Sequence, residues 1–270
     1  MKNVVITGSA RGLGLEMAKV FIRSGNNVVI SDINVENLEK AAKSLEGIAS
    51  DGNVYSFRCD VTNYEDIENL ISFSLDKMQE IDIWINNAGV NQPDAAIWEL
   101  SPSDISKLID IDLKGTVLSS NAIMKYFDKN KKGAIYNVEG YGSNDAKMLG
   151  LSIYGTSKRA VTYFTEALAK ECETRNNNVL VGKLSPGIMI TDFISNSLGN
   201  GAKIELSEKT KKVYNILGDY PDVVADFLVK GMLSNKKNNC KIEWLTTGKA
   251  MKRFMFAGFN KRDFFKALGE

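Results

Sequence analysis

Tyr154 and Lys158 stand four residues apart, so on a helix the phenol and the ammonium share one face and can look into the same cleft. Tyrosine ordinarily titrates at about 10, and a neighbouring positive charge lowers that value, so the geometry suits proton transfer. The chain has no histidine, so the commonest acid/base side chain and metal ligand is missing. Tyr, Lys, Asp, Glu and Ser remain to carry any catalysis. Alone, a Tyr-x-x-x-Lys spacing is common on helix faces, and its meaning depends on what surrounds it.

A second group lies near the start. TGSARGLG, residues 7–14, follows an apolar run and opens a helical pattern. Gly8 can make a tight turn, Gly12 lets backbone N–H groups approach a pyrophosphate, and Gly14 lets the helix pack close to a sheet. Asp32 ends the next apolar run, 18 residues beyond Gly14, where a carboxylate can accept hydrogen bonds from an adenosine ribose. The same carboxylate would repel the 2′-phosphate of NADP, so NAD is the expected cofactor.

Elements that could position these groups are legible as β-branched runs alternating with helical stretches. NVVIT precedes 12–24, NVVIS precedes 34–45, VYSFR precedes 63–79, IDIWI precedes 102–128 and AIYNV precedes 152–175, with NVLVGKL and KIEWL following. Continuous apolar strands separated by helices predict an α/β fold, a Rossmann-type doubly wound parallel sheet of about seven strands with helices on both faces. Ligands of such sheets bind beyond the strand C-termini, where the strand order reverses. Ser24-Gly25 can end the first helix, and Ser101-Pro102 supplies an N-cap and an N1 proline for another. Only four prolines occur and no linker stands out, so residues 1–270 are expected to form a single dinucleotide-binding domain.

These motifs, taken in order, resemble the short-chain dehydrogenase/reductase family. Thr7, Gly8, Gly12 and Gly14 match its glycine motif, NNAG at 86–89 the motif after its fourth strand, Tyr154 and Lys158 its Y-x-x-x-K, and SPGIMIT at 185–191 its P-G-x-x-x-T. The resemblance implies that Asp60, with Val61 beside it, meets the adenine, and that Leu13 belongs to the glycine turn. It also implies that Asn86, Ala88 and Gly89 line the adenosine side, and that Pro186, Gly187, Ile188 and Thr191 hold the nicotinamide end. Arg11 reaches the 2′-phosphate in some relatives but also occurs in NAD-using ones, so the preference for NAD over NADP stands. By the family's mechanism Tyr154 would give a proton to a carbonyl oxygen as hydride arrives, and Lys158 would hold the nicotinamide ribose and tune Tyr154.

Two departures from the family pattern stand out. The usual N-x-S-S reads NVEG, so Glu139 and Gly140 occupy the places of the two serines. GYGS resembles the G-x-G-S of the chlorophyll b reductase branch, as do YGTSK, LSPGIMITD and WLTTGKAMKRF at 244–254; Ser143 is therefore the expected donor to the substrate oxygen, with Tyr141 or a backbone N–H as alternatives. The family's N-x-x-G reads DLKG at 112–115, so Asp112 stands where an asparagine helps hold a water that links the lysine to solvent. An ionised Asp112 near Lys158 would raise the lysine pKa; otherwise Asp112 faces a different partner.

Composition bounds the partners. Lys plus Arg total 34 against 33 acids, a net charge of +1 that offers no global case for nucleic acid or a membrane surface. Cys59, Cys172 and Cys240 are widely spaced, so no disulfide framework and no metal site is expected, and a reducing cytoplasm fits. The apolar run at Val4 leads into a glycine turn, not a cleavage site, and no window approaches the roughly 18 apolar residues of a membrane span. Residues 190–220 fall where the family places a substrate lid. The tail 246–270 carries Phe254, Phe256, Phe259, Phe264 and Phe265 among Lys249, Lys252, Arg253, Lys261, Arg262 and Lys266. Such an arm packs on a neighbouring subunit or on its own core, with an anionic membrane or a hydrophobic substrate as the alternative, and a homodimer or homotetramer is expected. The function expected is NAD(P)(H)-dependent interconversion of a carbonyl and an alcohol, the branch resemblance implying a bulky hydrophobic keto or formyl compound. The competing expectation is a dinucleotide-binding regulatory or scaffold protein whose site has decayed.

Overall fold

The structure, a computed structural model, describes residues 1–48, 51–93, 95–175, 178–191, 207–258 and 262–265. Seven parallel strands, β1 (Asn3–Thr7), β2 (Asn27–Asp32), β3 (Val54–Arg58), β4 (Ile83–Asn86), β5 (Lys132–Val138), β6 (Asn178–Ser185) and β7 (Cys240–Glu243), form one sheet in the order β3-β2-β1-β4-β5-β6-β7. The order reverses between β1 and β4, which opens the crevice for a ligand beyond their C-terminal ends.

Side-chain alternation builds a core on each face of this sheet. Val4 and Ile6 point to one face with Val28 and Ile30, where α1 (Gly12–Arg23), α2 (Val35–Glu46) and α8 (Pro221–Ser234) cover them with Met17, Phe21, Leu45 and Leu228. Val5 points to the other face with Val29, Trp84 and Ile135, beneath α3 (Tyr64–Met78), α5 (Thr116–Asn130) and α6 (Ser152–Thr174) and their Leu70, Phe127 and Ala169. Each fully buried Val, Leu, Ile, Phe or Met among these contributes about 1.5–3 kcal/mol. Two short helices complete the described chain at its C-terminal end, α7 (Glu208–Leu217) and α9 (Thr247–Met255). None of the described helices is long and apolar enough to cross a membrane.

The expected helix over 102–128 is instead three pieces. α4 (Pro102–Ile109) starts at Ser101, whose side chain accepts the Asp104 N–H; a π-helical turn at Asp110–Gly115 follows, and α5 continues to Asn130. One extra residue in that turn re-aims Asp112 without ending the helix. The sequence reading also passed over α8, which begins at a Tyr220-Pro221 pair and packs beside α1 on the same face of the sheet.

Candidate active site

A cavity of about 1470 Å³ opens at the C-terminal ends of β1, β4, β5 and β6, walled by the 186–191 loop and by α7. Its far end is the glycine turn. Gly8 has φ +60° and sits so close to β4 that a Cβ would fall 2.5 Å from the Ala88 Cα; Gly12 has φ +56° with open space before it. α1 carries no capping side chain and no acid in its first turn, whereas α2, α3 and α4 are capped by Asn34, Asn63 and Ser101. Its free N–H groups and the positive end of its dipole are thus left for an anion, and Asp32 and Asp60 line the cavity beside it. This turn fits a dinucleotide pyrophosphate.

Of the residues expected at the cofactor, Gly8, Arg11, Gly12, Leu13, Asp32, Asp60, Val61, Ala88, Gly89, Pro186, Gly187, Ile188 and Thr191 line the cavity, as do Tyr154 and Lys158. Thr7, Gly14 and Asn86 do not, and each is committed elsewhere. The Thr7 hydroxyl donates to the Ile85 carbonyl and accepts the N–H groups of Asn87 and Ala88, tying β1 to β4. Gly14 leaves room for the Asn87 amide and the Gly8 carbonyl. Asn86 is buried in a chain of bonds that takes in Trp84, Ser120, Asn137 and Thr165, so Asn86 pins β4 to β5 and the helices behind them while its neighbour Asn87 reaches the cavity wall.

At the near end Tyr154 and Lys158 lie on one face of α6, with Nζ 5.5 Å from the phenol ring centre. Burial pushes the Tyr154 phenol up to about 12; Lys158 opposes this, while Asp112 and Tyr214 add to it. The ammonium alone therefore does not outweigh burial. The ammonium is paired: Asp112 Oδ2 lies 3.0 Å from Lys158 Nζ, and Oδ1 accepts the Val90 N–H at 2.8 Å. Burial works against the Lys158 ammonium, and the Asp112 carboxylate and Tyr154 together more than offset it, so its pKa ends above the ordinary value. Asp112 itself is raised by burial, with Lys158 and the Val90 N–H pulling the other way.

Around Tyr154 the hydroxyl inventory differs from the expectation. A Cβ on Gly140 would run into the Tyr154 hydroxyl, so the tyrosine fills the space a side chain there would need. Ser143 is buried and does not line the cavity; its hydroxyl donates to the Lys158 carbonyl at 3.3 Å and accepts the Gly140 N–H at 3.2 Å. Glu139 lies under the floor, accepting from Thr162 at 2.8 Å, with Lys241 3.5 Å away. Two residues that the sequence reading missed matter more. Gln92, from the loop after β4, accepts the N–H groups of Ile153 and Tyr154 at 2.9 and 3.0 Å, capping α6 where its own N-cap, Leu151, cannot. Tyr214, on α7, lines the cavity. Their separation from Tyr154 in sequence, 62 and 60 residues, left no local signal.

The region expected as a lid is described in part: 192–206 lie outside the described residues, and α7 with its following turn forms the wall over Tyr154. Of the C-terminal arm, Phe259, Lys261 and Lys266 lie outside the described residues, while Phe264 and Phe265 are buried against Tyr220 and Tyr214 of the same chain.

The family model for short chain dehydrogenases matches residues 2–200. The chain belongs to the short chain dehydrogenase family. This short chain dehydrogenase is accordingly an NAD(P)-dependent oxidoreductase. It is 34% identical to chlorophyll(ide) b reductase NOL of Oryza sativa subsp. japonica over 93% of its own length and 73% of that protein's. It is 31% identical to the probable chlorophyll(ide) b reductase NYC1 of Arabidopsis thaliana over 91% of its length, and spans 51% of that relative. In fold it resembles a 3-ketoacyl-(acyl-carrier-protein) reductase from Brucella melitensis complexed with NADH, with a TM-score of 0.78, 22% identity and coverage of 92% and 98% of the two chains.

The chloroplastic NOL and NYC1 proteins overturn the cytoplasmic placement read from the cysteines of this short chain dehydrogenase. Cysteines spaced too widely for a disulfide framework fit a reducing environment and do not say which compartment supplies it.

Proposed function

We propose that this short chain dehydrogenase reduces the carbonyl group of a bulky, largely apolar compound to an alcohol, with NADH preferred to NADPH and Tyr154 as the proton donor. The observation that carries the reading is that one continuous cavity joins the uncapped N-terminus of α1 and Asp32 to the Tyr154–Lys158 face of α6. When bound, the nicotinamide supplies hydride to the carbonyl carbon. The chain does the rest. Tyr154, held protonated at neutral pH by burial, gives its proton to the carbonyl oxygen as negative charge develops there. Lys158, fixed by Asp112, holds the ribose hydroxyls, and the Asp32 carboxylate accepts from the adenosine ribose while repelling a 2′-phosphate.

Substrate size and charge follow from the lining. The cavity, about 1470 Å³, has to hold the dinucleotide as well as the substrate. Its substrate half presents Met148, Leu149, Val213 and Tyr214 with Lys107, Lys147 and Lys209, while the lining acids Glu16, Asp32 and Asp60 lie at the cofactor end and Glu139 under the floor. That pattern favours an apolar carbonyl compound that also carries a carboxylate. Half-buried Val117, Met124 and Phe164 beside exposed Tyr163 on the outer faces of α5 and α6 support a homodimer or homotetramer, and one continuous sheet supports reading 1–270 as one domain. The test is oxidation of NADH and NADPH, side by side, with aldehydes and ketones from small to bulky, using wild type and Tyr154→Phe. Turnover that favours NADH and vanishes in Tyr154→Phe is expected; turnover retained in Tyr154→Phe would sink the reading.

A further inference from the structure

A carbonyl oxygen gaining negative charge is best stabilised by two positioned donors, and Tyr154 supplies only one. Gly140 has no side chain to offer, and any added there would displace the Tyr154 hydroxyl. Ser143 spends its hydroxyl on the Lys158 carbonyl, outside the cavity wall. Two other phenols line the cavity. Tyr141 is 40% exposed on the loop after β5. Tyr214 enters the same cavity from α7, near enough to Tyr154 for the ionisation of one phenol to oppose that of the other.

We propose that Tyr214 gives the substrate oxygen its second hydrogen bond, and that the C-terminal arm holds it in place to do so. The proposal rests on the reading of Tyr154 as proton donor and adds a catalytic residue to it.

The arm is built around α7 as a clamp. The Tyr214 ring meets Phe265 edge-on, with centres 6.3 Å apart, and the next residue, Asn215, accepts the Phe264 N–H at 2.9 Å. Arg253 donates to the Leu217 carbonyl at 2.8 Å; Arg262 donates to the carbonyls of Ile216 and Gly218. The two guanidinium groups thereby satisfy the carbonyls that the end of α7 leaves open. Both are gathered by the buried Asp219 carboxylate, 2.6 Å from Arg253 and 3.2 Å from Arg262, which also accepts the Trp244 indole N–H at 2.6 Å. The Asp219 backbone pairs with the other wall, its N–H donating to Ile188 and its carbonyl accepting from Ile190, each at 3.0 Å. One residue therefore ties the arm, α7 and the 186–191 loop together.

Tyr214→Phe removes the hydroxyl and keeps the ring on Phe265. In steady-state reduction of the best carbonyl by NADH, kcat is expected to fall about 100-fold. NADH affinity, read by quenching of protein fluorescence, should stay unchanged. Ser143→Ala and Tyr141→Phe should stay within a few-fold of wild type. Wild-type kcat in Tyr214→Phe, or an equal loss in Ser143→Ala or Tyr141→Phe, overturns the proposal and leaves the reading of Tyr154 intact. Turnover that survives Tyr154→Phe is the separate outcome that removes the reading beneath it.

Discussion

Asp112 is one of two places, with Glu139, where this chain sets a carboxylate in a position that its family pattern fills with a neutral side chain. Among the described residues, Asp112 from the π turn bears on both Tyr154 and Lys158, and Tyr214 from α7 bears on Tyr154. Replacing Asp112 by asparagine leaves Lys158 free to lower the phenol from about 12. Reduction needs protonated Tyr154, so in Asp112→Asn the alkaline loss of NADH-driven turnover should begin at lower pH; kcat measured from pH 7 to 11 checks this, and an unmoved limb counts against the pairing. Gly140→Ser offers a second test. It restores the hydroxyl the motif lacks, yet its Cβ enters the space of the Tyr154 hydroxyl, so turnover should fall at least tenfold and not rise. Tyr154 and Lys158 were legible because both lie on one helix turn. The missing oxygen partner was not, because spacing along a chain says nothing about a phenol that arrives 60 residues later.

Among the elements, the strands and the glycine turn could be read directly, since a parallel sheet buried on both faces demands unbroken apolar runs. The π turn could not: one added residue changes a direction without changing the apolar count. α6 shows the same limit at its start, where the cap comes from Gln92 in a different loop. Gln92→Ala removes both bonds and should lower stability by about 1–2 kcal/mol, seen as a reduced Tm, with loss of turnover because Tyr154 sits in that first turn. At the end of β2, Asp32→Ser removes the carboxylate that opposes a 2′-phosphate. The ratio of kcat/KM for NADPH to that for NADH should rise by at least tenfold; a ratio that does not move assigns the preference elsewhere.

For the molecule as a whole, charge is balanced overall but is unevenly placed in the cavity, where Glu16, Asp32 and Asp60 lie with Arg11 at the cofactor end, and Lys107, Lys147 and Lys209 lie at the substrate end above the buried Glu139. An aldehyde bearing a carboxylate, such as 6-formyl-2-naphthoate, should therefore show a lower KM than its methyl ester. The gap should shrink in Lys147→Ala and Lys209→Ala, by about 0.5–1 kcal/mol for each exposed cation. Net charge alone concealed this, because it sums over ends of the site that act on different ligands. The clamp at Asp219 has a consequence for how the protein can be watched. Trp244 donates its indole N–H to that carboxylate and carries the Lys249 ammonium over its ring, while Trp84 is sealed in the core and Trp98 is 84% exposed. Indole emission responds to nearby charge and to water, so Trp244 is a built-in optical gauge: a red shift that survives Trp98→Phe would mark the instant the wall over the substrate comes away from the arm.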